Sequence, residues 1–127
     1  MDLALSNSSN EYLEDRRLLK AVELFNACNW YLAHDLFEEL WHETSGRERI
    51  TLQAFLQVSV AQVHLDRGNT VGATILYGEG LGRLKQKTIP NFGLDIVRLC
   101  KLVEARLNLL QQKKDPDICE LPFLFKK

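Results

Sequence analysis

A histidine and a carboxylate stand between two tryptophans in the segment Trp30–Trp41, WYLAHDLFEELW. On an α-helix, Trp30, His34, Glu38 and Trp41 fall within one narrow stripe, because every turn takes 3.6 residues. Apolar rings exclude water, whereas an imidazole and a carboxylate need hydrogen bonds or a charge partner. This stripe is therefore the first candidate for a functional site.

A second polar stripe lies on the next predicted helix, residues 48–67, which is apolar on most of its sides. Its polar residues lie within about 40° of one another on a helical projection: Gln53, Gln57 and His64, with Arg49 close to the same line. Gln62 lies on the opposite side, where we expect contact with solvent. A buried helix with one polar stripe predicts a polar partner.

The two stripes are expected to meet. In an antiparallel hairpin that turns near residue 46, facing positions have numbers that sum to about 92. His34 then lies near Gln57 and Ala61, with His64 one turn beyond. The predicted polar cluster consists of His34, Glu38, Trp41, Gln57 and His64.

Three roles fit such a cluster. The first is structural: each histidine is hydrogen-bonded by a carboxylate or an amide, and the cluster fixes the register of the helices. The second is a divalent metal site with His34, Glu38 and His64 as ligands. The third is a binding or catalytic pocket in which Glu38 or His34 acts as an acid or base.

The sequence lacks the motifs that would strengthen the two chemical roles. Gly46 takes the last position of an HExxH motif that would start at His42, and no second Glu-x-x-His is present. No nucleophile, oxyanion donor or phosphate-binding loop accompanies the carboxylate and the histidines. We therefore expect no cofactor, and a divalent metal is the alternative.

Composition limits the function classes further. The chain has 127 residues, a net charge of -1 and three cysteines without a CxxC pair. It is one domain in length, shows no global attraction to nucleic acid or anionic lipid, and has no apolar run of about 18 residues for a membrane span. We expect a soluble cytoplasmic protein, while a plastid location of a processed form stays open.

Hydrophobic periodicity predicts an all-α fold, a single compact bundle of about five helices. The first helix starts at Ser9 or Asn10 and ends near Ala27, the second and third span about 30–44 and 48–67, and Asn69 caps the fourth. The fifth starts near Asn91 and is closed by Pro116. The predicted organisation is a flexible leader (1–9), a helical domain (10–114) and an extended C-terminal tail (115–127) whose PFLF motif covers the bundle or binds a partner.

Two helical hairpins are related by an offset of 40 residues. The offset aligns Asn29 with Asn69, Ala33 with Ala73 and Phe37 with Tyr77. A small residue followed four positions later by an aromatic one is typical of the second helix in tetratricopeptide-type hairpins. Four glycines in the fourth helix, at positions 72, 78, 80 and 82, predict a close helix contact or a local irregularity.

The stretch from FNACNWYLAHDLFEELW to GNTVGATILYGEGLGRL resembles the family called domain of unknown function 309. The resemblance covers about residues 21–84. It departs at Cys28, where the family usually has glycine, and at Asp35, where it often has glutamate. The matching positions are Asn26, His34, Glu38, Trp41, Gln57, His64, Gly68, Asn69, Gly72 and Ala73. The resemblance implies a compact all-helical fold; for Asn26 we expect a hydrogen bond to the backbone of the nearby turn.

These patterns together favour a non-enzymatic protein-interaction or scaffold module. Its expected partner is another protein or a second copy of the chain, bound through the glycine-rich fourth helix or the apolar tail. The alternative is a metal-dependent or acid–base enzyme that uses His34, Glu38 and His64.

Overall fold

The computed structural model describes residues 15–127 and confirms the all-α class. Five α-helices follow one another: α1 (Arg16–Asn26), α2 (Trp30–Glu43), α3 (Glu48–Asp66), α4 (Thr70–Leu84) and α5 (Ile96–Gln111). A single 3-10 turn (Pro116–Ile118) and an extended tail complete this part of the chain. The extensive helix contacts join neighbours in the chain: α1 packs on α2, α2 on α3, α3 on α4 and α4 on α5.

The start of the first helix is capped by Asp15, whose carboxylate accepts a hydrogen bond from the backbone N–H of Arg17 at 2.8 Å. The predicted leader (1–9) and the predicted start at Ser9 or Asn10 lie outside the described residues. The guanidinium of Arg17 donates to Glu39 at 3.2 Å and to Glu43 at 2.7 Å. These bonds tie α1 to the outer side of α2.

The helices α1 and α3 end in the same hydrogen-bonded turn. The N–H of Asn29 donates to the carbonyl of Leu24, and the N–H of Asn69 donates to the carbonyl of His64, each at 2.8 Å. The residue before each asparagine, Cys28 or Gly68, has a left-handed φ of 63° or 76°. This is the Schellman ending, which satisfies the last carbonyls of a helix and reverses the chain.

The core is centred on α3. A series of four aromatic rings runs through it, with neighbouring ring centroids 5.5–6.4 Å apart: Phe25, Phe37, Phe55 and Phe92. All four side chains are fully buried. Such contacts fix how α1, α2 and α3 pack on the segment that leads into α5.

The fifth helix begins later than predicted, at Ile96 instead of near Asn91. Phe92 and Gly93 both have left-handed φ values, 54° and 78°, which two consecutive helical residues cannot have. Asp95 caps α5 by accepting from the N–H of Arg98 at 3.0 Å. The predicted first turn of the helix is thus a separate loop.

The C-terminal tail packs on this loop and on α1. Asn26 donates from Nδ2 to the carbonyl of Leu124 at 3.0 Å and accepts from the N–H of Leu124 at 2.8 Å. The side-chain amide therefore pairs with the tail backbone as a strand would, and not with the nearby turn as the sequence suggested. The N–H of Asp95 also donates to the carbonyl of Phe125 in the tail. The side chain of Leu124 is 2% exposed.

Within residues 15–127, no helix combines the length and the apolar character that crossing a bilayer requires.

Candidate functional site

The α2 stripe brings His34 and Glu38 together on the surface of the bundle. His34 Nε2 lies 3.9 Å from Glu38 Oε1, and His34 Nδ1 lies 3.1 Å from Asp35 Oδ1. Both carboxylates are about half exposed, whereas the imidazole is 21% exposed. Both ring nitrogens thus face carboxylates, but only the contact with Asp35 is within hydrogen-bond distance.

Gln57 is held from both ends by α4. Its Nε2 donates to Glu79 Oε1 at 2.9 Å, and its Oε1 accepts from Arg83 Nη1 at 3.2 Å. The sequence predicted that Gln57 lies at the same height along the helix axis as His34. It did not predict the side to which the amide group of Gln57 turns. The amide turns to α4.

His64 is bound to the residue that caps α4. Asn69 Nδ2 donates to His64 Nδ1 at 3.2 Å, while Asn69 Oδ1 accepts from the N–H of Gly72 at 2.9 Å. An amide nitrogen can only donate, so this bond requires the His64 tautomer with its proton on Nε2. The asparagine thereby joins the end of α3 to the start of α4.

Trp41 carries the contact between α2 and the first turn of α3. The guanidinium carbon of Arg49 lies 3.8 Å from the centroid of the Trp41 ring, a cation–π stack. The Nε1 atom of Trp41 and the Nε atom of Arg49 are both buried, and neither has an acceptor among residues 15–127. These two N–H groups are the unused hydrogen-bonding capacity of the site.

The five predicted residues therefore form separate contacts. Within the described part of the chain, no hydrogen bond or ion pair joins His34 or Glu38 to Gln57 or His64. No group of three or more histidine, cysteine or acidic side chains in residues 15–127 is arranged to hold a metal ion. Of the proposed ligands, His64 uses Nδ1 for Asn69, and only His34 and Glu38 approach each other.

A buried network that the sequence analysis missed lies on the opposite side of α3. The Tyr77 hydroxyl donates to Gln62 Oε1 and accepts from Arg106 Nε at 2.9 Å. Arg106 is completely buried, and Gln62 is 3% exposed, so the expectation of a solvated Gln62 was wrong. Because Gln62 lies opposite the polar stripe, it points into the core. Burial raises the pKa of Tyr77 to about 12, although the nearby Arg106 acts to lower it.

Arg106 also fastens the tail. Its Nη2 donates to Asp117 Oδ1 at 3.0 Å, and its Nη1 donates to the carbonyl of Pro116 at 3.1 Å and to that of Cys119 at 3.3 Å. The signal for this role was present in the sequence: Arg106 follows Leu99 by seven residues and Val103 by three, on the apolar line of α5. A charged residue at a core position predicts a buried partner.

Comparison with known proteins shows two similarities. One similar protein is the uncharacterized protein YpuF from Bacillus subtilis (strain 168), which is 30% identical over 87 residues. The match covers 66% of this chain and 50% of the relative, so this chain spans about half the length of that protein. Residues 18–76 match the model of the family described as domain of unknown function (DUF309). The resemblance seen in the sequence is thus confirmed: residues 18–76 of this chain are similar to the domain of unknown function 309 family.

Proposed function

We propose that this domain is a protein-interaction module without catalytic activity, and that a partner binds the polar surface shared by α2, α3 and α4. This surface, the α2–α4 polar face, consists of nine residues: His34, Glu38, Trp41, Arg49, Gln53, Gln57, His64, Glu79 and Arg83. Two contacts link the helices across this face: Arg49 of α3 stacks on Trp41 of α2, and Gln57 of α3 bonds Glu79 and Arg83 of α4.

The observation that carries the proposal is that two long side chains of this face are already held in place. Gln57 is held at its nitrogen by Glu79 and at its oxygen by Arg83, and Arg49 is held flat on an indole ring. Ordering a flexible side chain on binding costs about 0.5–1.5 kcal/mol. A face whose long side chains are fixed in advance avoids much of that cost, which is what a recognition surface needs.

The hairpins add support of a different kind. Ala33 and Ala73 are fully buried, as are Phe37 and Tyr77 four residues after them. Burial of a small residue and of an aromatic one four positions later supports tetratricopeptide-like hairpins, whose stacked helices offer extended binding surfaces. The proposed function requires no cofactor, nucleic acid or membrane.

The enzyme alternative receives less support from the geometry. His34 and Glu38 lie 3.9 Å apart at the surface, which allows an acid–base pair, but His64 is engaged with Asn69. A water-excluding pocket would be needed to strengthen such chemistry, and the two carboxylates at His34 are about half exposed.

Site-specific photocrosslinking in the cells that naturally express the protein would test the proposal. A photoreactive amino acid replaces Gln53, at the centre of the α2–α4 polar face, and in a control it replaces Lys101, an exposed residue of α5. We expect a discrete covalent adduct from position 53 that is absent from position 101. An adduct of twice the chain mass would identify a second copy as the partner. Equal background labelling from both positions would contradict the proposal.

The variant Glu38→Gln separates binding from chemistry. The substitution removes a charge and keeps the shape of the side chain, so an interaction module should retain the adduct at position 53 and lose stability at most. Loss of a cellular function with the adduct intact and the fold unchanged would favour the enzyme instead.

A further inference from the structure

Two buried N–H groups on the α2–α4 polar face have no acceptor among residues 15–127. They are Nε1 of Trp41 and Nε of Arg49, and they belong to side chains in direct contact, since the guanidinium carbon is 3.8 Å from the ring centroid. Buried donors in proteins are paired in the large majority of cases, and each unpaired one is destabilising. Two such donors side by side indicate a place for an acceptor from outside residues 15–127.

The charge of Arg49 supports the same reading. Arg17 and Arg106 each bond a carboxylate, and Arg47 donates to the backbone carbonyls of Lys87 and Thr88. For Arg49, by contrast, the described residues provide no ion pair and no side-chain hydrogen bond; its contact is the face of Trp41. Stacking uses the face of the guanidinium, and its buried Nε–H has no acceptor among residues 15–127.

We infer that Trp41 and Arg49 form a carboxylate-binding site for an acidic side chain of the partner protein. The inference rests on the function proposed above. Nε and one Nη of a guanidinium form a planar fork that matches the two oxygens of a carboxylate. The Trp41 side chain in contact with it carries the second unpaired N–H. The ligand that these donors fit is a group with two acceptor oxygens and a negative charge.

The neighbours of the site favour a carboxylate over a doubly charged phosphate. Glu38 lies one helical turn before Trp41 on the same stripe and brings a negative charge. Repulsion from this charge grows with the charge of the ligand. Gln53, one turn after Arg49 on α3, has a side chain that can bond the partner next to the carboxylate.

The site can be tested on the full chain by heteronuclear NMR, which detects weak binding through the indole N–H signals. The chain has two tryptophans, and the variant Trp41→Phe assigns them. The probe is a capped tetraglutamate peptide, and the matched control is a capped tetraglutamine peptide. We expect a saturable shift of the Trp41 indole signal with tetraglutamate, little shift of Trp30, and no saturable shift with tetraglutamine.

Variants of the two stacked arginines provide the specificity test. Arg49→Gln should weaken tetraglutamate binding by about tenfold or more, since a hydrogen bond to a charged group is lost. Arg49→Lys keeps the charge but not the fork and should bind with intermediate affinity. Arg98, which stacks on Phe125 at 3.6 Å, is the matched control, and Arg98→Gln should bind as the parent does.

Three results would overturn the inference: no saturable shift of Trp41, equal shifts with both peptides, or unchanged affinity in a folded Arg49→Gln variant. Inorganic phosphate that shifts the signal when tetraglutamate does not would assign the site to a free anion instead. The crosslinking experiment keeps the two proposals apart. If the adduct at position 53 forms and tetraglutamate fails, the carboxylate site is wrong and the interaction module stands; if both fail, both are wrong.

Discussion

Removing one hydroxyl group from the core tests the buried network directly. In Tyr77→Phe, Arg106 loses the acceptor of its Nε, and Gln62 loses the donor to its Oε1. Both partners are buried, 0% and 3% exposed, so water cannot easily replace the hydroxyl. The ring and its packing remain, so the substitution reports on the hydrogen bonds.

The magnitude follows from the two bonds. A hydrogen bond to a charged group contributes about 1.5–3 kcal/mol and a neutral one about 1 kcal/mol, so we expect a loss of about 2–4 kcal/mol in the free energy of unfolding. For a chain of this length, each kcal/mol lowers Tm by about 4 °C, so the fall should be about 8–16 °C. Tyr31, which is 55% exposed, provides the control: Tyr31→Phe should change stability by less than about 0.5 kcal/mol.

The same variant has an alkaline signature. Burial raises the pKa of Tyr77 to about 12 in the folded chain, whereas an unfolded tyrosine has a pKa near 10. Between these two values the unfolded chain has released the phenolic proton and the folded chain still binds it. The stability that Tyr77 contributes is therefore fully present below pH 10 and is lost at about 1.4 kcal/mol per pH unit above it.

The assay is urea unfolding followed by circular dichroism, on the parent, Tyr77→Phe and Tyr31→Phe, at neutral pH and at intervals above pH 10. The gap between the parent and Tyr77→Phe should shrink as the pH rises from 10 to 12, because phenylalanine has no proton to lose. A Tyr77→Phe variant as stable as the parent at neutral pH would refute the network. A gap that is constant up to pH 12 would refute the account of the pKa.

Three other substitutions follow from the backbone and the packing. Cys28→Gly should raise the free energy of unfolding by about 1 kcal/mol, because Cys28 is exposed and has a left-handed φ of 63°; thermal melting that shows a loss would count against the strain. Gly82→Ala should stabilise α4 by about 1 kcal/mol, whereas Gly80→Ala should gain less or lose, since its new Cβ would lie 3.2 Å from a side chain of α3; equal melting temperatures for the pair would contradict this. Asn26→Ala should cost about 1–3 kcal/mol and expose the tail to protease, since both bonds to Leu124 are lost; a protease-resistant tail would show that the pairing is dispensable.

Helix order and class could be predicted from the sequence because they depend on local periodicity. The buried positions of α2, Trp30, Ala33, Phe37 and Leu40, recur at three- and four-residue spacing, and that spacing is visible without a structure. The predicted start of α5 was wrong because the conformation of the loop before it depends on contacts with the tail. The carbonyl of Gly93 accepts from the N–H of Lys127, a pairing across 34 positions that no local pattern contains.

The candidate site shows the same limit at the level of side chains. The sequence pattern predicted that Gln57 and His64 lie on one stripe of α3 and that His34 and Glu38 lie on one stripe of α2. It could not say that Gln57 turns to Glu79, because a helical projection gives the direction of Cβ but not the conformation of a long side chain. The prediction that Gln62 contacts solvent was wrong for a simpler reason. On a helix that is packed on most sides, the side opposite an outer polar stripe faces the core.

The end of α5 connects the repeat to the network around Arg106. Lys113 has a left-handed φ of 60°, and the N–H of Lys114 donates to the carbonyl of Leu109 at 2.8 Å. This is the Schellman ending of α1 and α3, so α5 ends as the first helix of a third hairpin would. Within residues 115–127 no second helix follows, because Asp115 and Pro116 open a 3-10 turn instead.

The tail therefore takes the place that a second helix has in the two complete hairpins. In those hairpins the second helix covers the first with buried pairs such as Ala33 and Phe37; here the chain after α5 offers three backbone carbonyls and Asp117. Polar backbone on a core helix would be destabilising without donors, and a buried guanidinium would be destabilising without acceptors. Arg106 supplies the donors and the tail supplies the acceptors, so the tail packs on α5 where a second helix would pack in a complete hairpin.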